Sequence, residues 1–178
     1  MATKTSTART TAAAAIPKSL FEPGDAEVIA RYREGAGVPG AAIHGLTQEQ
    51  LVSHPVPGTW SIQQIVVHLA DADLVSSYRM KRIIAEDCPK LDVYDEIAFS
   101  EKLFYEDLDP NLACEMFRMN RLQMSRILGL LPPAAYSRVA VHPEIGEKPL
   151  SFFVRVYVHH LEHHMRFLRQ KRDMILGK

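Results

Sequence analysis

The large apolar residues near the end of the chain recur at helical spacing. On a wheel of about 100° per residue, those between Ser151 and Leu176 fall on one arc, and polar and basic residues lie mainly on the opposite side. The arc contains Phe153, Val154, Val156, Tyr157, Leu161, Met165, Phe167 and Leu168. The pattern predicts a long amphipathic helix with this arc turned towards the protein core.

Three further helical patterns precede this one. The first begins at Asp25 and is interrupted between Gly35 and Gly40, which predicts one kinked helix or two short ones. The second follows Ser61, and the third runs from Asn111 to Leu131. Their apolar positions are Ile62, Ile65, Leu69, Ala72, Val75, Met80 and Ile83, then Ala113, Met116, Phe117, Met124, Ile127, Leu128 and Leu131. Together the four helices predict an all-α fold, a four-helix bundle.

The segments outside these helices complete the architecture. The acidic and aromatic stretch from Cys88 to Asp109 predicts a long crossover between helices 2 and 3 that holds a short helix. Val139 and Val141 alternate with polar neighbours before a turn, which favours a small hairpin. Residues 21–178 are predicted to form one domain, and residues 1–20, rich in Thr and Ala, a disordered tail.

Three histidines are predicted to face the interior. His160 and His164 lie within the apolar arc of the last helix, one turn apart, while His159 and His163 lie towards the basic side and are predicted to face solvent. His68 lies on the apolar face of the second helix. A single buried histidine is more often a hydrogen-bonded core residue than a ligand, but three neutral imidazoles need partners in an apolar setting. The set predicts a catalytic metal site with one open coordination position.

The sequence leaves the metal and the supporting residues open. Imidazole suits zinc, nickel, iron and manganese, so the ligands do not distinguish among these divalent ions. Asp71, about one turn beyond His68, is a candidate to orient a ligand imidazole or accept a proton, and a solvated carboxylate is the alternative. Tyr157 is a candidate donor to a developing oxyanion, or else a core residue. Asn120 interrupts the third apolar stripe, as a structural hydrogen-bonding group or as part of a pocket lining.

Composition narrows the classes of partner. The chain is 47% hydrophobic and 24% charged, which is typical of a soluble globular protein. Its net charge of zero gives no indication of the basic surface that binds nucleic acid. No apolar run is long enough to span a membrane. The two cysteines, Cys88 and Cys114, have no C-x-x-C spacing, so no disulfide framework is expected and a cytoplasmic location is predicted.

Several motifs together resemble the DinB/YfiT superfamily of metalloenzymes. They are P-G-T-W-S-I-x-x-I-V-x-H-L-A-D-A-D from Pro57 to Asp73, Tyr94-Asp95-Glu96, R-V-x-V-H-P-x-x-G-E from Arg138 to Glu147, and H-x-x-H-H from His160 to His164. The resemblance implies a four-helix bundle with a long crossover between helices 2 and 3. It also implies a divalent metal held by His68, His160 and His164, and association into a homodimer.

The resemblance leaves the reaction open. Members are regarded as metal-dependent hydrolases or as transferases that use low-molecular-weight bacterial thiols, and many have no known activity. The leading hypothesis is a hydrolase-like enzyme whose metal activates water against a small-molecule substrate. The alternatives are a metal-dependent thiol S-transferase and a non-catalytic, stress-linked binding bundle. Neither Cys88 nor Cys114 is required by these schemes.

Overall fold

Capping residues and apolar stripes set the ends of the helices in the computed structural model, which describes residues 25–178. Thr47 and Ser61 each form a capping box with the glutamine three residues later. The helices are α1 (Asp25–Glu34), α2 (Val38–Ile43), α3 (Gln48–Val52), α4 (Ile62–Ala85), α5 (Glu96–Lys102), α6 (Pro110–Leu130) and α7 (Leu150–Leu176), with 3-10 turns at Gly35–Gly37 and Pro133–Ser137. A two-stranded sheet joins β1 (Val139–His142) to β2 (Gly146–Pro149).

Helices α1, α4, α6 and α7 form the predicted four-helix bundle. Helix α4 packs against both α6 and α7, and α1 closes the bundle against the same two helices. Buried side chains form two core clusters, one towards the start of α4 and one towards its end. The long crossover between α4 and α6, with α5 inside it, also agrees with the prediction.

The glycine-rich break near the start of the described chain lies at a close packing contact. A Cβ atom at Gly35 would lie 2.6 Å from Leu161 Cδ2 and 2.8 Å from Arg121 Nη1. Gly35 therefore allows α6 and α7 to approach the chain closely at the point where α1 gives way to the 3-10 turn. Of the two predicted arrangements, the structure has two short helices.

The predicted hairpin is present and is joined to the crossover. Strands β1 and β2 are antiparallel, with Val139 opposite Pro149 and His142 opposite Gly146. Gly146 has φ +72°, the left-handed conformation that glycine accepts in a tight turn. Lys90 forms a parallel bridge with Val141. The hairpin thus fixes the beginning of the crossover beside the bundle.

Two predicted core residues are exposed instead. Met116 on α6 is 42% exposed and Phe167 on α7 is 40% exposed, because each lies at the margin of its apolar stripe and reaches the protein surface. The predicted tail, residues 1–20, and the first residues of the predicted domain lie outside the described residues. Between residues 25 and 178, no helix combines the length and apolarity needed to cross a membrane.

Candidate metal centre

Helices α4 and α7 bring three imidazoles together inside the bundle. One ligand nitrogen from each of His68, His160 and His164 lies within 4.8 Å of the others. The Nε2 atoms of His68 and His160 are 3.1 Å apart. The ring of His164 has its centroid 4.6 Å from that of His68 and 4.5 Å from that of His160. These three residues are called the triad below.

The triad follows from the register of two packed helices. His68 is 2% exposed and lies among the buried residues of the first half of α4. His160 and His164 are half-buried. They flank Leu161, which belongs to the core cluster near the start of α4. Because residues four apart stack on one face of a helix, both α7 imidazoles meet the single imidazole from α4.

Burial keeps the triad uncharged. Desolvation lowers the pKa of His68 to about 3, with a smaller contribution from His164. It lowers the pKa of His164 to about 4, and His163 adds to that effect. The pKa of His160 also falls well below its ordinary value, because of burial and the two neighbouring imidazoles. Near neutral pH each ring therefore keeps a nitrogen lone pair available to a cation.

The triad has an aromatic wall. The ring of Trp60, which precedes the N-cap of α4, is 4.8 Å from the ring of His68 and is tilted against it. The same indole stacks on His164 with a centroid distance of 6.3 Å. Trp60 is half-buried, so it separates this side of the triad from solvent.

A row of polar side chains leads from His68 to Asp71. The Tyr94 hydroxyl lies 3.4 Å from His68 Nδ1, and the Tyr94 and Tyr105 hydroxyls lie near enough to shift each other's pKa. Tyr105 in turn donates to Asp71 Oδ2 at 2.5 Å. Burial raises the pKa of both tyrosines, so both hydroxyls keep their protons. Asp71 therefore connects to the triad through two side chains of the crossover.

Tyr157 connects the triad to a guanidinium. Its ring meets that of His160 edge-on, with centroids 6.1 Å apart, and its hydroxyl accepts a hydrogen bond from Arg79 Nη1 at 3.0 Å. Burial raises the pKa of Tyr157. Its backbone carbonyl accepts a hydrogen bond from Arg121 Nη2 at 2.5 Å. Two arginines thus hold this residue next to the triad.

The other α7 histidines do not join the triad. His159 and His163 were predicted to face solvent, and both are half-buried. Their rings lie 6.3 Å apart, and the His163 ring packs edge-on against Phe167 at 4.9 Å. That contact covers part of the imidazole and accounts for its reduced exposure.

Several residues near the triad were not identified from the sequence. Neither the periodicity nor the motifs single out Tyr105, Arg79 or Arg121. Trp60, Asp73 and Tyr94 belong to the motifs, but the motifs assign them no role. Arg121 could have been found, because it lies four residues after Phe117 and so shares its inward face. Tyr105 gave no such signal, since the crossover has no regular period. Asn120 is a structural hydrogen-bonding group, with Nδ2 donating to Asp73 Oδ2 at 2.6 Å.

Comparison with known proteins assigns the chain to a family. A sequence model of the DinB superfamily matches residues 40–168. The chain belongs to the DinB superfamily. All three triad residues of this DinB bundle lie inside the matched range. The expected DinB/YfiT-like family and its four-helix bundle are therefore confirmed.

Curated DinB relatives carry names that refer to a metal. The protein named "putative metal-dependent hydrolase YfiT" from Bacillus subtilis is 28% identical over 130 residues, 72% of this chain and 73% of the relative. A Bacillus licheniformis protein whose name also begins "putative metal-dependent hydrolase" is 27% identical over 128 residues, 71% of this chain and 73% of its own.

Solved structures share the DinB bundle fold. One, described as YfiT from Bacillus subtilis, "a probable metal-dependent hydrolase with an unusual four-helix bundle topology", has a TM-score of 0.80 and 25% identity, with 86% of this chain and 87% of that chain covered. Another is the mycothiol-dependent maleylpyruvate isomerase, with a TM-score of 0.67 and 14% identity over 84% of this chain and 62% of that one. The second likeness concerns the fold alone.

The triad's donor set fits a divalent transition metal. Three neutral imidazoles converge, and the Nε2 atoms of His68 and His160 face each other at 3.1 Å. If His68 carries its hydrogen on Nδ1, beside the Tyr94 hydroxyl, its Nε2 lone pair points at its neighbours. Two such facing nitrogens are well satisfied by a shared cation, and three histidines with an open position match catalytic sites in other folds.

Proposed function

We propose that this protein is a metal-dependent hydrolase acting on a small molecule, with His68, His160 and His164 as the ligands of a divalent cation. The observation that carries the proposal is the convergence of three uncharged imidazoles from two helices within 4.8 Å. The names of the DinB relatives support it. Zinc, nickel, iron and manganese all suit imidazole ligands.

Neutral ligands leave the charge of the ion available for chemistry. A divalent cation bound by three imidazoles supplies a Lewis acid that acidifies water towards neutral pH and polarises a carbonyl group. The chain contributes the shape and dryness of the surroundings. Trp60 covers one side of the triad, and the crossover covers another through Tyr94.

Asp71 is proposed to act as a positioning residue. Its route to the triad passes through Tyr105 and Tyr94, which favours the orienting role over direct proton abstraction. His68 Nδ1–H donates to the Tyr94 oxygen, Tyr94 donates to Tyr105, and Tyr105 donates to the carboxylate. This direction leaves His68 Nε2 unprotonated, the tautomer that a metal ligand requires.

Tyr157 is proposed to stabilise negative charge on the substrate. Its hydroxyl accepts from Arg79 Nη1, which leaves its own hydrogen for donation. Its raised pKa keeps that hydrogen in place. A nearby guanidinium strengthens such a donor, and the ring already contacts His160. The group is therefore suited to hydrogen-bond an oxygen that gains charge in the transition state.

A thiol S-transferase is the second candidate. The likeness to the fold of a mycothiol-dependent isomerase favours it. In this scheme a divalent cation held by the triad would acidify the thiol, which would release its proton to solvent. The sulfur would then form a bond to an electrophilic carbon of the second substrate while the leaving group departs from that carbon with its bonding electrons. Low-molecular-weight thiols such as mycothiol or bacillithiol should perturb the spectrum of a cobalt-substituted protein under this scheme. Under the hydrolase proposal they act at most as inhibitors.

Elemental analysis tests the metal centre directly. Protein purified without a His-tag or added metal is expected to contain about one divalent ion per chain, and His68→Ala and His160→Ala are expected to lose it. His44→Ala serves as control, because His44 is exposed. If both triad variants keep the metal and any hydrolysis found by substrate screening, the proposal fails. A metal bound without exchangeable water would instead support the non-catalytic bundle.

Location and assembly extend the proposal. The structure has both cysteines as free thiols, Cys88 exposed and Cys114 buried. This supports the proposed cytoplasmic location, where thiols stay reduced. The homodimer implied by family likeness stays a prediction, and size-exclusion chromatography with light scattering tests it.

A further inference from the structure

A cleft opens beside the triad, on the far side of Tyr94. Its volume is about 190 Å³, which suits a molecule smaller than the ligands of typical pockets of roughly 300–1,000 Å³. The lining is formed by Val75, Tyr78, Arg79, Arg82, Leu91, Asp92, Val93, Tyr94 and Phe99. Most of these side chains are aromatic or aliphatic, and the charged ones come from α4 and the crossover.

The two guanidiniums of the cleft differ in their pairing. Arg82 is engaged by a carboxylate, with Nη2 2.7 Å from Glu86 Oε2, and the charge of Asp92 also acts on it. Arg79 donates only to neutral acceptors, the Tyr157 hydroxyl and the Asp92 backbone carbonyl. Among residues 25–178, Arg79 forms no ion pair with a carboxylate.

The charge of Arg79 is partly buried and lies close to the triad. Arg79 is half-buried, so water solvates its charge only in part. A bound anion would supply the stabilisation that the missing water does not. Its partner Tyr157 contacts the His160 ring. A group bound at Arg79 therefore lies one side chain from the triad.

We propose that Arg79 binds the carboxylate of a small organic acid whose apolar or aromatic part lies in this cleft. The planar guanidinium matches a carboxylate in two parallel hydrogen bonds, and the rings of Tyr94 and Phe99 form an apolar wall for the rest of the molecule. The proposal rests on the proposed function only for its link to the reaction, because Tyr94 and Tyr157 lie between this cleft and the triad. Binding of the acid itself does not depend on the metal.

Phenylacetate and its neutral isostere phenylacetamide test the proposal. Each is titrated into the full chain, as purified and after removal of metal with EDTA, and the amide signals are followed by ¹H–¹⁵N NMR. Phenylacetate is expected to bind about tenfold more tightly than phenylacetamide, because only the acid forms charge-assisted hydrogen bonds. The shifted signals are expected to map to α4 and the crossover.

Matched variants assign that preference to one residue. Arg79→Met is expected to abolish the tenfold preference, Arg79→Lys to keep part of it, and Arg82→Met to retain it, since Arg82 is already paired with Glu86. Circular dichroism checks that each variant is folded. The proposal is overturned if the acid does not bind at millimolar concentration, if the amide binds equally well, if the preference survives in Arg79→Met, or if Arg82→Met removes it too.

Metal content measured on the same samples separates the two proposals. Loss of the acid preference in Arg79→Met, in protein that never contained metal, supports the carboxylate site and contradicts the metal centre. A full complement of metal together with equal binding of acid and amide supports the metal centre and contradicts the carboxylate site.

Discussion

The row from His68 to Asp71 is the feature most specific to individual residues. If Tyr94 donates to Tyr105 as proposed, each hydroxyl donates once and accepts once, so a single change breaks the direction of the whole row. Tyr94 forms the contact with His68 at 3.4 Å, and Tyr105 forms the contact with Asp71 at 2.5 Å. Removing either hydroxyl leaves the imidazole in place but releases the constraint on its tautomer.

Tyr94→Phe is therefore expected to weaken zinc binding by about 10–100-fold, the usual effect of losing the partner of a metal-bound histidine. Chelator competition measures the affinity, and ¹⁵N shifts of the His68 ring in the metal-free protein report the tautomer directly. Tyr78→Phe is the matched control. Tyr78 lines the same cleft as Tyr94, but it is 61% exposed, and none of the hydrogen bonds found among residues 25–178 joins it to the row. Unchanged affinity and unchanged ring shifts in Tyr94→Phe would show that the row has no positioning role.

The sequence predicted the triad but not the row. Helical periodicity places His68, His160 and His164 on inward faces, because a regular backbone fixes the direction of each side chain. Tyr94 and Tyr105 lie in the crossover, whose irregular backbone sets no such direction. Only their packing in the folded protein brings them to the triad. The spacing of Asp71 from His68 suggested a direct role, but the hydrogen bond of Asp71 goes to Tyr105.

At the scale of the helices, the buried Arg121 of α6 joins α4 through an ion pair and α7 through a hydrogen bond. Arg121 Nε donates to Asp73 Oδ1 at 2.8 Å, with both side chains 1% exposed, and Nη2 donates to the α7 carbonyl of Tyr157. The guanidinium also lies over the Tyr32 ring of α1 at 4.4 Å. One side chain from α6 therefore contacts the three other helices of the bundle.

Arg121→Met is expected to lower the free energy of unfolding by about 3–5 kcal/mol, because it leaves the Asp73 carboxylate buried without its counter-charge. Arg118→Met on the same helix removes an exposed pair with Glu115 and should change stability by no more than about 1 kcal/mol. Urea denaturation measures both. Equal small losses in the two variants would mean that the buried pair contributes nothing specific.

Helix boundaries were well predicted because they depend on local chemistry. Ser61 and Gln64 form the expected capping box, and α6 ends next to Pro132, close to where the apolar pattern stops. The sequence predicted a break at Gly35 but left open whether one kinked helix or two short helices would form. The residues packed against Gly35, Leu161 and Arg121, are far away in the chain. The predicted burial of Met116 was wrong, because periodicity does not say where the margin of an apolar stripe meets solvent.

At the scale of the whole molecule, the triad makes stability depend on pH. His68 and His164 are neutral in the folded protein, with pKa values of about 3 and about 4, while the unfolded chain binds protons near the ordinary value of 6.5. Protonation therefore favours unfolding. The stability of the metal-free protein should be greatest above pH 6.5 and should fall as the pH drops from there towards about 4 to 3.

For His68 alone, the expected loss between pH 7 and pH 5 is about 2 kcal/mol. Urea denaturation of EDTA-treated protein across this range measures it. His68→Gln should show a shallower dependence on pH, and His44→Gln should keep that of the parent. A parent protein equally stable at pH 5 and pH 7 would contradict the burial of neutral imidazoles.

Trp60 has a practical consequence. It is the sole tryptophan of the sequence, and its indole lies 4.8 Å from one triad imidazole and stacks on another. The tryptophan emission of the unlabelled protein therefore originates beside the triad, where a ring that gains a proton or an ion alters the excited state. Fluorescence can report occupancy of this centre without a dye, a tag or a known substrate.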